Sequence, residues 1–180
     1  MTMQKNGSEK KMVGVISAGA FGTAIAQTLA HSGQDVLIWE KEADVVKSVN
    51  KSAENKRFMP GFKLSEAITA TSNIEDLTEK CGTLFCCAPA AANTEIATLL
   101  AQSFTPEHTL VICSKGFRES DGALLSDVWQ ESIGTIRNLT VLSGPSFAPE
   151  MMEQKPTAVV VAGKERATVR QVSDLLSARF

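Results

Sequence analysis

The chain has 180 residues, of which 43% are hydrophobic and 21% charged, proportions that are typical of a globular domain with a substantial core. Its 18 basic and 20 acidic residues give a net charge of −2 without a basic block, which argues against nucleic acid or a membrane surface as a partner. No segment is apolar for long enough to cross a bilayer. Residues 1–10 are polar and predict a disordered lead-in, followed by one domain over residues 11–180.

Residues 12–25 predict an apolar strand, a turn of small residues and the start of a helix. Such a turn aims backbone N–H groups and the positive end of the helix at a pyrophosphate, as in a dinucleotide-binding domain. Gly19 would let the backbone approach the pyrophosphate, and Gly22 would let the helix pack against the strand. Ser17 stands where the first glycine of the G-x-G-x-x-G fingerprint belongs. The alternative is an ordinary strand–helix unit without a ligand.

A second strand is predicted at residues 35–39, after the first helix ends near residues 32–33. Glu40 follows this strand, at the position where an acidic side chain usually accepts hydrogen bonds from the adenosine ribose. Its carboxylate would repel a 2′-phosphate, while the adjacent Lys41 could attract one. Both NAD and NADP therefore stay open as the cofactor.

The rest of the chain continues the alternation of strands and helices. Further strands are predicted at residues 67–70, 83–87, 109–113, 139–142 and 157–161, and helices at residues 43–49, 73–79, 92–102, 123–131 and 165–177. Strands joined by such helices pair in parallel through right-handed crossovers, and their continuous apolar runs indicate a sheet covered on both faces. We therefore predict an α/β fold with a doubly wound, mainly parallel Rossmann-type sheet.

The cysteines lie in or beside predicted strands, at Cys81, Cys86, Cys87 and Cys113. Their spacing, without CxxC or a histidine-rich pattern, predicts no metal site. Cys86 and Cys87 would point to opposite faces of one strand and are poor candidates to bridge each other. We expect reduced core thiols in a cytoplasmic protein.

Three loops follow strand ends, where the ligand crevice of an open α/β sheet lies. Pro89 stiffens the first. Lys115, in the second, could pair its ammonium with a phosphate or polarise a carbonyl oxygen. The third, Ser143-Gly-Pro-Ser-Phe-Ala148, offers space at Gly144 and a hydroxyl at Ser146, which suit a phosphate. The alternatives without a function are that Pro89 only ends its strand and that Lys115 is only a solvated loop charge.

Together these motifs resemble the N-terminal domain of bacterial NAD(P)-dependent glycerol-3-phosphate dehydrogenase, which interconverts dihydroxyacetone phosphate and sn-glycerol 3-phosphate for phospholipid synthesis. The resemblance extends from about residue 11 to residue 180 and is carried, in order, by Ala18-Gly-Ala-Phe-Gly-Thr-Ala24, Phe58-Met-Pro-Gly61, Ser114-Lys-Gly116, Ser143-Gly-Pro-Ser-Phe-Ala148 and Pro156-Thr-Ala-Val159. The fourth segment argues against ketopantoate reductase and 3-hydroxyacyl-CoA dehydrogenase, which share the architecture. A non-catalytic nucleotide-binding module is the alternative from another class.

The resemblance also implies roles for particular residues. With the turn residues and Glu40, it gives a cofactor site of Ser17, Gly19, Ala20, Phe21, Gly22, Glu40, Lys41, Phe58, Lys115 and Ala148. A small phosphate substrate would meet Lys115, Gly144 and Ser146, and Lys115 is the catalytic candidate near the nicotinamide. Because the family is commonly dimeric, a homodimer is implied as well.

Some features depart from the family pattern. The family normally has glycine at Ser17, usually tryptophan at Phe21 and often tyrosine at Phe58. Ser17 could crowd the turn and weaken cofactor binding. The family's all-helical C-terminal domain, which supplies the acid–base lysine and holds the substrate phosphate, is expected to be absent from this chain. We therefore expect negligible turnover from the isolated polypeptide.

Overall fold

The structure, a computed structural model, describes residues 12–177; the predicted lead-in at residues 1–10 lies outside this range. The strands are β1 (Met12–Ile16), β2 (Val36–Trp39), β3 (Ile68–Thr71), β4 (Cys81–Cys86), β5 (Thr109–Ile112), β6 (Leu139–Ser143) and β7 (Val160–Gly163). The helices are α1 (Ala20–His31), α2 (Ala43–Ser52), α3 (Glu75–Lys80), α4 (Asn93–Leu100), α5 (Leu125–Ile133), α6 (Ala148–Met152) and α7 (Arg166–Leu176). A 3-10 turn, Ala90–Ala92, leads into α4. Among the described residues, no helix is long and apolar enough to cross a membrane.

The strands form one sheet in the order β3-β2-β1-β4-β5-β6-β7. The first six are parallel, which confirms the predicted doubly wound, mainly parallel fold of the Rossmann type. The strand order reverses between β1 and β4, and a ligand crevice opens outside the carboxyl ends of the strands at such a point. The loops that follow β1, β2, β4 and β5 therefore meet at one edge of the sheet.

The last strand differs from the prediction in place. β7 spans Val160–Gly163 instead of residues 157–161, and it runs antiparallel to β6. The connection from β6 contains only α6, whose five residues span roughly 7.5 Å. This length is less than that of a five-residue strand, so α6 does not return the chain to the opposite end of the sheet.

Helices cover both faces of the sheet and bury alternate residues of each strand. In β1, Val15 packs in the core beneath α1 and Ile16 in the core on the other face, and neither is exposed. The thiols of Cys86 and Cys87 point to opposite faces, as predicted. Cys81 opens β4 rather than preceding the strand, and burial raises the pKa of its thiol to about 12.

Candidate functional site

The turn between β1 and α1 is here called the glycine loop (residues 17–22). Its backbone is constrained at two positions, Gly22 and Ser17. A Cβ atom at Gly22 would lie 2.0 Å from the carbonyl oxygen of Ser17, so a side chain at position 22 would displace the backbone. Ser17 itself has φ 79°, in the left-handed region that favours glycine. At Gly19, a Cβ atom would meet nothing closer than 3.8 Å, so the space over this residue is open.

The peptide groups that flank Ala18 are fixed by side chains from three other parts of the chain. The backbone N–H of Ala18 donates to Oε2 of Glu40 at 2.7 Å. Its carbonyl oxygen accepts from Nδ2 of Asn55 at 2.6 Å and from Oγ1 of Thr23 at 3.0 Å. Because α1 begins at Ala20, the N–H groups of its first turn have no intrahelical acceptor and point to the crevice. This arrangement fits the pyrophosphate of a dinucleotide.

The carboxyl group of Glu40 is held against the glycine loop at the end of β2. The residue is 6% exposed, and its Oε1 accepts the backbone N–H of Lys41 at 2.9 Å. Burial raises the pKa of Glu40, and a hydrogen bond with the carboxyl group of Glu42 raises it further. The same hydrogen bond lowers the pKa of Glu42. The predicted ribose-binding position therefore holds a buried carboxyl group, fixed by two backbone N–H groups, whose pKa is raised.

Phe58 is connected to the glycine loop through Asn55, which is fully buried. Oδ1 of Asn55 accepts the backbone N–H of Phe58 at 3.2 Å, while Nδ2 holds Ala18 and Thr23. The guanidinium carbon of Arg57 lies 5.3 Å from the centre of the Phe58 ring. Phe58 thus lies at the same corner of the crevice as Glu40. In this fold, the acidic residue after the second strand lies beside the adenosine ribose.

Lys115 extends from the loop after β5 toward the start of α1. Its ammonium nitrogen lies 5.6 Å from the centre of the Phe21 ring, a distance typical of a cation–π contact. The structure therefore brings together two of the predicted site residues that are 94 positions apart in the sequence (115 minus 21). This pair lies across the crevice from the Glu40 corner.

The loops after β4 and β5 are joined by Asn93, a fully buried side chain at the start of α4. Its Nδ2 donates to the carbonyl oxygen of Pro89 at 2.9 Å and to Oγ of Ser114 at 3.1 Å. Its Oδ1 accepts the indole N–H of Trp129 at 2.8 Å. Ser114 in turn donates to the carbonyl oxygen of Ala88 at 2.6 Å. Ser114, the residue before Lys115, is thereby held by one hydrogen bond that it accepts and one that it donates.

The loop beyond Lys115 is anchored by Arg118. Its guanidinium pairs with Asp121 on the same loop and with Glu131 on α5. The guanidinium holds the pKa of Asp121 down at about 2. The loop therefore folds back on α5 instead of extending over the crevice.

The loop after β6 is closed on itself. A Cβ atom at Gly144 would lie 2.6 Å from the carbonyl oxygen of Ala158. The segment around Ala158 therefore fills the space that the sequence suggested for a ligand. Ser146 is 5% exposed, and both its N–H and its hydroxyl are directed at the carbonyl oxygen of Gly144. Ala148 is buried at the start of α6. Among residues 12–177, no hydrogen bond connects this loop to Lys115.

Asn55, Thr23 and Asn93 were not singled out from the sequence. Asn55 and Asn93 are asparagines in or beside loops, where this residue type is usually solvated, and their partners lie far along the chain. The local signals were weak: Thr23 lies within the segment Ala18–Ala24, and Asn55 lies three residues before the segment that begins at Phe58.

Comparison with known proteins gives one consistent result. The sequence model described as "NAD-dependent glycerol-3-phosphate dehydrogenase N-terminus" matches residues 12–169. The chain is 34% identical over 169 residues to glycerol-3-phosphate dehydrogenase [NAD(P)+] of Carboxydothermus hydrogenoformans, covering 93% of this chain and 50% of that protein. It is 40% identical over 155 residues to the Maricaulis maris protein of the same name, covering 86% of this chain and 46% of that protein.

A solved structure agrees with these sequences. The crystal structure of glycerol-3-phosphate dehydrogenase from Coxiella burnetii superposes with a TM-score of 0.89 at 26% identity, covering 94% of this chain and 52% of that one. The chain thus spans about half the length of the curated relatives that it matches.

Proposed function

The chain belongs to the NAD-dependent glycerol-3-phosphate dehydrogenase family, and we propose that it holds the cofactor of an enzyme that interconverts dihydroxyacetone phosphate and sn-glycerol 3-phosphate. Membership in this family removes ketopantoate reductase and 3-hydroxyacyl-CoA dehydrogenase as alternatives. The observation that carries the proposal is the glycine loop, in which open space over Gly19 faces the N–H groups of the first turn of α1.

In this proposal the backbone N–H groups of Ala20 and Phe21 bind the pyrophosphate, with Gly19 allowing its close approach. Ser17 and Gly22 set the shape of the loop, and Phe58 packs at the adenosine end. When bound, a nicotinamide supplies the hydride that passes between its C4 atom and the carbonyl carbon of the substrate. Ala148, which packs at the start of α6, closes the cofactor site on that side.

Lys115 is proposed as the residue of this chain that acts on the substrate. Its ammonium lies beside Phe21 at the nicotinamide end of the crevice, where it would polarise the substrate carbonyl and stabilise the alkoxide that hydride transfer forms. Gly144 and Ser146 are proposed to contact the substrate phosphate. Both are enclosed in their own loop, so this contact requires the loop after β6 to open.

We propose further that turnover requires groups beyond those of residues 12–177. Lys115 is exposed and contacts an aromatic ring, and among residues 12–177 no hydrogen bond or ion pair connects its ammonium to another titratable group. The chain also spans about half the length of its relatives. We expect negligible reduction of dihydroxyacetone phosphate by this 180-residue polypeptide with NADH. Sustained turnover by the purified polypeptide would contradict this.

Cofactor binding can be tested by titrating NADH into the chain in a calorimeter, beside the variant Gly19→Ala. The alanine fits the free structure, because nothing lies within 3.8 Å of its Cβ atom, so the midpoint of thermal unfolding should not fall. We expect saturable binding to the wild type and binding at least about tenfold weaker in the variant, because the methyl group occupies the place of the pyrophosphate. No binding to the wild type would overturn the proposal, and equal binding to both would remove the pyrophosphate from this loop.

A further inference from the structure

Two cysteines lie side by side at the carboxyl ends of β4 and β5, where the crevice opens. The last residues in register on these parallel strands are Cys86 and Ile112, and the N–H of Cys113 donates to the carbonyl oxygen of Cys86 at 2.8 Å. Cys87 and Cys113 are therefore the next residues along the two strands, and both side chains pack in the core beneath α1. The proposed function uses neither thiol.

This placement suits a disulfide bond. Neighbouring strands lie about 4.8 Å apart, and the Cα atoms of residues in register are separated by about this distance. A disulfide joins Cα atoms that are about 4.4 to 6.8 Å apart and brings their Cβ atoms to about 3.8 Å. A shift of about 1 Å in the Cβ atoms is therefore enough to bridge Cys87 and Cys113. Cys86, in contrast, points to the opposite face of the sheet.

Access from solvent differs among the four cysteines. Cys87 is partly exposed, while Cys81, Cys86 and Cys113 are buried. A reagent in the crevice therefore reaches Cys87 first and Cys113 only through it. The neighbouring Cys113 thiol and burial raise the pKa of Cys87. Cys87 is thus a protonated thiol at neutral pH, and its reaction with an oxidant is slow and becomes faster as the pH rises.

We propose that Cys87 and Cys113 form a dithiol site, which a small-molecule disulfide converts to an intrachain disulfide that weakens dinucleotide binding. The Cys87 sulfur, after losing its proton to solvent, attacks one sulfur of the oxidant and displaces the other half as a thiolate. Cys113 then attacks the Cys87 sulfur of the mixed disulfide, loses its proton and releases the second half. Two protein thiols are oxidised to one disulfide, and the small disulfide is reduced to two thiols, which take up the two protons.

The disulfide acts on the cofactor site because Cys87 contacts the chain at both ends of the glycine loop. Its N–H donates to the carbonyl oxygen of Ile16, directly before the loop, at 3.0 Å. A Cβ atom at Gly22 would lie 3.3 Å from the Cβ atom of Cys87, so the last residue of the loop packs on this side chain. A shift of Cys87 toward β5 removes that packing from the loop. This effect rests on the proposed function, since it concerns binding at the same site.

The test is incubation of the folded chain with glutathione disulfide, followed by alkylation of the remaining thiols. Cleavage at glutamate separates positions 87 and 113, so mass spectrometry identifies linked peptides. We expect one disulfide between these positions in the wild type and in Cys86→Ala, the matched control on the opposite face. Cys113→Ala should stop at a glutathione adduct on Cys87, and Cys87→Ala should give neither product. Cys81 and Cys86 should stay reduced in the wild type, which shows that the chain reacts while folded.

Calorimetric titration of NADH then measures the effect on the cofactor site. We expect the oxidised chain to bind NADH at least about tenfold more weakly than the reduced chain, and dithiothreitol to restore the affinity. Because linkage is reciprocal, saturating NADH should favour the reduced dithiol in a glutathione redox buffer by the same factor. The affinity of Cys87→Ala should not change on the same oxidative treatment.

The outcomes separate the two proposals. Absence of a disulfide between positions 87 and 113, or modification of all the cysteines at equal rates, would overturn the dithiol site. A disulfide that forms and leaves the affinity for NADH unchanged would overturn its effect on the cofactor site. Failure of the reduced wild type to bind NADH would overturn the proposed function and that effect, while the mass spectra would still decide whether the dithiol site exists. The wild-type spectra need no variant, so this result stands even if an alanine variant unfolds.

Discussion

The ammonium of Lys115 lies 5.6 Å from the centre of the Phe21 ring, so the loop after β5 contacts the first turn of α1. A cation–π contact at a site of this exposure contributes about 0.5–1 kcal/mol. We predict a coupling energy of this size between Lys115→Met and Phe21→Leu, measured by urea unfolding of both single variants and the double variant. Lys47→Met, an exposed lysine on α2, should show no coupling to Phe21→Leu. Additive effects at positions 21 and 115 would show that the contact carries no energy.

Ser17→Gly should tighten NADH binding and raise the stability of the chain. The serine has φ 79°, and relief of this conformation is worth about 1 kcal/mol, part of which the greater freedom of glycine in the unfolded chain offsets. The serine hydroxyl also accepts the N–H of Gly19 at 3.4 Å, and glycine would leave that N–H to the pyrophosphate.

Ser17→Ala is the matched control, because it removes the hydroxyl but keeps the Cβ atom and the strained φ. Calorimetry with NADH and thermal unfolding on all three proteins separate the two effects. Unchanged or weaker affinity in Ser17→Gly would show that the loop accommodates the serine.

Asn93→Leu should destabilise the chain by about 3 kcal/mol, although leucine is of similar size and helix-forming. The substitution leaves the buried indole N–H of Trp129 without its acceptor and removes the amide that donates to the hydroxyl of Ser114. Urea unfolding measures the loss, and Thr94→Ala, at the exposed position next to it, should change stability by less than about 0.5 kcal/mol. Similar stabilities for the two variants would mean that the network around Asn93 adjusts to its removal.

Stability should depend on pH through Glu40. Burial, together with the hydrogen bond to Glu42, raises the pKa of Glu40 in the folded chain above the ordinary value of 4.5. The folded state therefore binds this proton more tightly than the unfolded state, and the stability contributed is full below pH 4.5 and is lost as the pH rises through the raised pKa.

Comparison with Glu40→Gln, which stays neutral, isolates this effect. From pH 4.5 upward, the wild type should lose stability relative to the variant, as thermal unfolding at a series of pH values would show. Parallel profiles for the two proteins would contradict the assignment of the raised pKa to Glu40.

The sheet and the glycine loop could be predicted because their signals are local. The apolar run of β1, the small residues after it and the helical spacing of α1 are consecutive in residues 12–31, so each signal can be read from neighbouring positions. The bounds of β7 were wrong because the segment between β6 and β7 contains only a five-residue helix, which leaves little periodic pattern in a sequence.

The polar contacts of the site were not predictable in the same way. Asn55 and Ala18 are 37 positions apart, and Asn93 and Trp129 are 36 positions apart, so only the folded chain brings them together. Glu40 was singled out by its place after β2, but its bond to the N–H of Ala18 depends on the conformation of a loop 22 positions earlier. Whether a buried polar residue has a partner is a property of tertiary structure.

The bracing of Ala18 by Glu40, Thr23 and Asn55 also bears on how quickly a nucleotide exchanges. A loop that is ordered by the folding of the domain loses little conformational entropy when a ligand arrives, so the entropic barrier to association is small. Association then needs no search for a competent loop conformation. Differences in affinity between ligands should therefore lie mainly in the dissociation rate. Loss of Asn55 would slow association, since the loop would have to order itself at each encounter.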